Sequence, residues 1–96
     1  MARYKITARA KDDLWRIYNY GLSEYGEERA DRYHRKLFEH FEQIAENPYI
    51  HPSVNYICAG YRRGVCGVDS IFYRVTDDGV EIISIIGRQD IKNILL

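Results

Sequence analysis

The sequence predicts an α+β fold: an N-terminal strand, an antiparallel helical hairpin, a three-stranded antiparallel meander completing one sheet, and a short C-terminal helical turn. Three observations carry it. Apolar residues recur at helical spacing through two stretches joined at Gly26. Three short apolar runs follow, broken by glycines and by Asp77-Asp78-Gly79, a hairpin turn signal. Runs of helix followed by runs of strand place a helical hairpin on one sheet face.

Each element has a local reason. Arg3 to Thr7 reads as a strand with Tyr4 and Ile6 on one face. The Thr7 hydroxyl can accept an orphan N–H and cap a helix over 8–25. In that helix Ala10, Leu14, Ile17 and Gly21 form the core stripe. Trp15, Tyr18 and Leu22 lie beside it, and Lys11, Asp12, Arg16 and Asn19 mark the wet side. A second helix over 27–46 carries Ala30, Tyr33, Leu37, Phe41 and Ile44, widened by Phe38 and Ala45. Asn47-Pro48 ends it, because proline has no N–H and restricts the residue before it. A loop over 49–59 leads to strands near 60–65, 68–76 and 80–87. Val80 to Ile86 is largely apolar on both faces, the mark of a central strand covered on both sides. Ile91, Ile94 and Leu95 share one side of the terminal turn.

Ninety-six residues, 46% of them apolar, make one folded domain over 1–96. No apolar run approaches the roughly 20 residues that span a bilayer. The charged N-terminus does not read as a signal peptide, so the expected location is the cytoplasm. Formal net charge is zero, with nine Lys/Arg and nine Asp/Glu in 1–47 and five of each in 60–96. Phosphate neutralisation supplies much of nucleic-acid affinity, so this balance disfavours RNA or DNA as the main ligand and leaves room for a local basic patch. Cys58 and Cys66 read as reduced thiols, or as a disulfide joining the two ends of a strand. His34, His40 and His51 follow no metal-ligand spacing, and neither a metal nor a cofactor is expected.

The residues suggest gripping more than chemistry. Arg62, Arg63, Arg74 and Arg88 thread the strands. Arg62 and Arg63 are adjacent, so they point to opposite faces, and Arg74 lies within cross-strand reach. They read as a partner or anion clamp, or as ordinary partners of Asp69, Asp77, Glu81 and Asp90. The strands hold no histidine for general acid–base work. Asp69 and Glu81 read as solvated, and Tyr61 and Tyr73 as packing. The cysteines have no matching histidine, and no phosphate-cradling glycine loop is present. Nine tyrosines are many for this length; Tyr49, Tyr56 and Tyr61 are the interface candidates. Two apolar stripes per helix either fill the hairpin and sheet contacts or leave a groove for a partner.

Nearly the whole chain resembles the ParE-type toxins of bacterial toxin–antitoxin modules, within the wider RelE/ParE fold. The resemblance rests on an ordered set with matching gaps. It begins with Ile6-Thr7, Ala10, Asp13-Leu14, Ile17 and Tyr20, then Tyr25-Gly26, Ala30, Tyr33, Leu37 and Phe41. Ile44-Ala45, Asn47-Pro48 and Gly60-Tyr61-Arg62-Arg63 follow. Ile71 to Arg74, Asp78 to Ile83, Ile85-Ile86 and Arg88-Gln89-Asp90 close it. It implies a non-catalytic inhibitor of DNA gyrase that traps cleaved DNA and blocks replication. It implies neutralisation by a cognate antitoxin, whose C-terminal segment folds as it wraps the toxin. On this reading Tyr61, Arg62, Arg63, Arg74, Arg88 and Ile91 face gyrase, and Trp15, Tyr18 and Phe38 face the antitoxin. Neither sequence-specific nucleic-acid binding nor membrane association is implied.

Family members often end the last strand with Ile-Leu-His, and here Gly87 stands in the histidine position. RelE-type relatives cut ribosome-bound mRNA with basic residues and a C-terminal Tyr or His. This chain has neither after Tyr73, and no Lys between Lys36 and Lys92. The alternatives are that nuclease and a non-toxic antitoxin-binding or co-repressor subunit, the latter supported by Gly87 alone.

Overall fold

A computed structural model describes residues 3–87. The expected C-terminal helical turn, with Arg88 and Ile91, lies outside the described residues. The order is β1 (Tyr4–Ile6), α1 (Ala8–Tyr25), α2 (Glu27–Glu46), β2 (Tyr61–Cys66), β3 (Asp69–Thr76) and β4 (Gly79–Gly87). Both helices match the ranges predicted from spacing. The strands of the meander start one residue either side of the predicted positions.

The four strands form one sheet in the order β1-β4-β3-β2. The meander is antiparallel, while β1 joins β4 in parallel through Tyr4–Val80, Lys5–Glu81 and Ile6–Ile82. β4 is thus interior, as its two apolar faces predicted. One face packs on the helices through a core of Leu14, Leu37, Phe41, Ile44, Ile71, Tyr73, Ile82 and Ile85, all nearly or fully buried. The other face holds a smaller cluster of Val54, Phe72 and Ile86, closed by Ile57 from the loop and Tyr61 from β2. Truncating a buried leucine such as Leu37 to alanine costs about 2–5 kcal/mol in cores of this kind.

Thr7 links β1, α1 and β4. Its Oγ1 accepts the Ala10 N–H at 3.1 Å, the expected cap. The same hydroxyl donates to the Ile83 carbonyl at 2.8 Å, and the Thr7 N–H donates to the Ile82 carbonyl at 3.1 Å. These bonds fall on a β-bulge: Tyr73 faces Ile82 and Phe72 faces Ser84, so Ile83 has no partner on β3. The bulge lets Ile82 and Ile85 both point at the helices despite their odd spacing. β1 ends at Ile6, and α1 side chains take over the edge of β4 beyond it. Asp13 Oδ2 accepts the Ile85 N–H at 3.0 Å, and Arg16 donates to the Ile85 carbonyl at 3.2 Å.

Gly26 and Gly79 are two of the four glycines that hold a positive φ among the described residues. Gly26 turns one helix into the other at φ 89°, with its N–H on the Leu22 carbonyl and its carbonyl accepting from Ala30. Gly79 opens β4 at φ 146°, and a Cβ there would sit 2.1 Å from the Arg3 carbonyl oxygen. The turn itself is Asp77-Asp78, with Gly79 already paired to Thr76.

Candidate functional site

The loop between α2 and β2 is fastened to the sheet, and its fastenings set the arginines. Tyr73, fully buried, donates its hydroxyl to the Pro48 carbonyl at 2.6 Å. Val54 N–H donates to the Tyr61 carbonyl, and Arg63 N–H to the Pro52 carbonyl, so the loop runs along the outer edge of β2. Arg62 lies opposite Tyr73 on the helix-covered face. It donates to the His51 carbonyl at 2.7 Å, and its guanidinium sits 4.9 Å from the centre of the Tyr49 ring.

Arg63 projects from the other face, as strand alternation required, and donates from Nε to Ser70 Oγ at 2.8 Å. Arg74, opposite Tyr61 on that face, is paired with Glu81 at 2.7 Å. The structure therefore brings Tyr61, Arg63 and Arg74 together and sets Arg62 apart. Arg74 follows the ordinary-pairing reading; Arg62 and Arg63 bond to neutral acceptors and keep their charge uncompensated in these contacts. Arg88 and Ile91, the remaining members of the expected surface, are among the residues not described.

Two site readings from the sequence change. Asp69 is buried, not solvated, and accepts the Tyr33 hydroxyl at 2.6 Å. The same hydroxyl lies 2.8 Å from the Cys66 carbonyl, and burial with the Asp69 carboxylate pushes the Tyr33 pKa far above its usual value. Asp69 shares its strand parity with Ile71 and Tyr73, which was the available signal. Glu81 is half-buried and engaged by Arg74. The strands indeed hold no histidine, but the loop delivers one. The His51 ring stands edge-on to Tyr73 at 6.2 Å, and burial, then the neighbouring His40, hold its pKa below the usual histidine value. Cys58 is exposed and Cys66 buried, and both are free thiols. Burial pushes the Cys66 thiol up.

A run of rings leads from the partly exposed flank of the helical hairpin into the core. Tyr18 meets His34, His34 meets Phe38, Phe38 meets Phe41, and Phe41 meets Tyr4, with centroids 4.9 to 5.7 Å apart. Tyr18 donates its hydroxyl to Asp31. Trp15, one turn earlier on α1, is 70% exposed. Of the three residues expected to face a partner, Trp15 is thus open, while Tyr18 and Phe38 are half-buried and joined through His34. Leu22 continues the stripe at the surface. The sheet and hairpin consume one apolar stripe of α1 and leave much of the other in solvent.

Among the described residues, no group of three or more His, Cys, Asp or Glu could hold a metal, and no helix is long and apolar enough to cross a membrane.

This architecture is that of the toxins in type II toxin–antitoxin systems. The chromosomal ParDE toxin–antitoxin system of P. aeruginosa includes a chain that superposes with a TM-score of 0.73 at 25% identity, over 91% of this chain and 96% of that one. The toxin–antitoxin complex RelBE2 of Mycobacterium tuberculosis shares the fold, at a TM-score of 0.69 and 19% identity, over 91% of this chain and 98% of that one. The family described as ParE toxin of type II toxin-antitoxin system, parDE, matches residues 4–92, and the chain belongs to it. Toxin ParE1 of Caulobacter vibrioides is 40% identical over 75 residues, 78% of each chain. Toxin ParE1 of Mycobacterium tuberculosis is 29% identical over 89 residues, 92% of this chain and 91% of its own.

Proposed function

We propose that this ParE-family toxin is a single-domain, non-catalytic inhibitor of DNA gyrase, held inactive by a cognate antitoxin in the bacterial cytoplasm. Family membership and the likeness to toxin–antitoxin complexes support the antitoxin as partner. The observation that carries the mode of action is the face formed by Tyr61, Arg63 and Arg74. It presents guanidinium groups, one of them bonded among the described residues to the neutral Ser70 hydroxyl, beside an aromatic ring. Such a surface holds an acidic or planar partner by charge and bidentate hydrogen bonds. Arg88 and Ile91 complete the surface in the sequence reading. The antitoxin lies over the exposed Trp15 and along the rings from Tyr18 to Phe38, on the opposite side of the sheet.

Inhibition of purified gyrase supercoiling by the wild-type chain and by Arg63→Ala/Arg74→Ala tests the assignment. The double variant should need about tenfold more protein for half-inhibition, the loss expected of interface arginines. Undiminished inhibition removes this face from the gyrase contact. Arg62→Ala, measured beside it, reports whether gyrase reaches the other face.

A ribosome-dependent mRNA endonuclease is the second reading, and one observation favours it. His51, whose pKa burial and then the neighbouring His40 hold below the usual histidine value, lies in the loop and offers its carbonyl to Arg62. Message cleavage in the ribosomal A site, abolished by His51→Gln, would establish it; intact messages under growth arrest exclude it.

A further inference from the structure

Zero net charge conceals a segregation of charge around α2. At 100° per residue, Arg29, Arg32, Lys36 and His40 fall within an arc of about 80°. Their spacings of three, four and four residues put successive groups about 5 to 6 Å apart, over about 16 Å of helix. No Asp or Glu falls inside that arc. Glu39 borders it, and Glu28 pairs with Arg32 at 3.1 Å. The opposite flank of α2 carries Glu27, Asp31 and Glu42, while Glu28, Arg35 and Glu46 lie on the exposed side between the two.

Contacts show which way the basic row faces. Tyr33, on its inner border, reaches the Cys66 carbonyl at the end of β2. Burial raises the Cys66 thiol pKa and the neighbouring Lys36 opposes the rise, while burial and then the neighbouring His40 lower that of His51. His51 in turn holds Arg62 through its carbonyl. The row and Arg62 therefore form one cationic flank along the β2 side of α2. Among the described residues neither Lys36 nor Arg62 forms an ion pair. Tyr49 and Ile50, 68% and 72% exposed, mark its far end.

We propose that this flank tracks the phosphate backbone of duplex DNA without reading its sequence. The cations Arg29, Arg32 and Lys36, stepped along a rigid helix, meet a partner that is itself evenly charged. Neutralising phosphates supplies affinity with no apolar anchor. An acidic peptide would need such an anchor near the centre of its interface, and the row offers none between Arg29 and His40. The proposal is independent of the gyrase contact, which uses the other sheet face.

The test is fluorescence anisotropy of a labelled 20-base-pair duplex of arbitrary sequence with the full chain, from 50 to 200 mM KCl. The wild-type affinity should fall steeply with salt. Arg32→Ala/Lys36→Ala should bind at least about tenfold more weakly at 100 mM and lower the log–log salt slope by about two. Lys5→Ala/Arg9→Ala makes the same charge change on β1 and α1 and should bind as the wild type does. All of these side chains are exposed, and the melting temperature of each variant is the check that it folds. Absence of binding at 50 mM, or equal weakening by both double variants, overturns the proposal. So does polyglutamate that displaces the duplex as well as unlabelled duplex of equal charge, which would make an acidic protein segment the occupant.

Discussion

His51 illustrates how a residue's surroundings decide its chemistry. Its ring is partly buried against Tyr73, with the His40 imidazole nearby, and its pKa lies below the ordinary 6.5. The unfolded chain then binds the proton more readily than the folded one. Stability is therefore full above the unfolded pKa and falls as pH drops from about 6.5 toward the folded value. Thermal melting should decline across that window in the wild type and flatten in His51→Gln. An equal decline in the variant would place the titrating group elsewhere. Residue roles were legible where one property decided them. Adjacent arginines on a strand had to diverge, and Arg62 and Arg63 do. Asp69 was misread because its charge was weighed and its parity with Ile71 and Tyr73 was not. The part-buried Tyr33 hydroxyl beside it offsets part of the cost of burial. His51 escaped notice because no local pattern says where a loop side chain lands.

Helices announce themselves by periodicity and punctuation, and here both agreed. Thr7 caps, Gly26 reverses the chain, and Asn47 caps the second helix just before Pro48, so the predicted ranges coincide with α1 and α2. The bulge at Ile83 was not legible, because it arises from Thr7 and Asp13 across the fold, 76 and 72 residues from their β4 partners. What periodicity left open was the fate of the second apolar stripe. Trp15 and Leu22 stay in solvent, while Tyr18 and Phe38 are half sheltered in the run of rings. Trp15→Ala should consequently leave melting within about 0.5 kcal/mol of the wild type. The same change should weaken the antitoxin at least about tenfold, as loss of a buried aromatic anchor does. Calorimetric titration of the purified pair checks this, and unchanged affinity would take Trp15 out of the interface.

At the scale of the molecule, the α+β order was readable and the parallel pairing of β1 with β4 was not. That pairing closes a contact across most of the chain, and Gly79 makes room for it against Arg3. Charge balance was likewise readable only as a sum. The fold sorts α2 into a basic flank beside β2 and an acidic flank opposite. It also separates the face of Tyr61, Arg63 and Arg74 from the aromatic side of the hairpin. In the function proposed above, the first of these surfaces serves the target and the second the inhibitor. The gyrase contact proposed for this chain has specific consequences in a cell. Induce the chain alone in a bacterial host, trap gyrase on DNA by rapid denaturation, and score covalent gyrase–DNA complexes together with message integrity. Accumulating complexes with growth arrest and intact mRNA is the predicted result; arrest with cut messages and no trapped gyrase would contradict it.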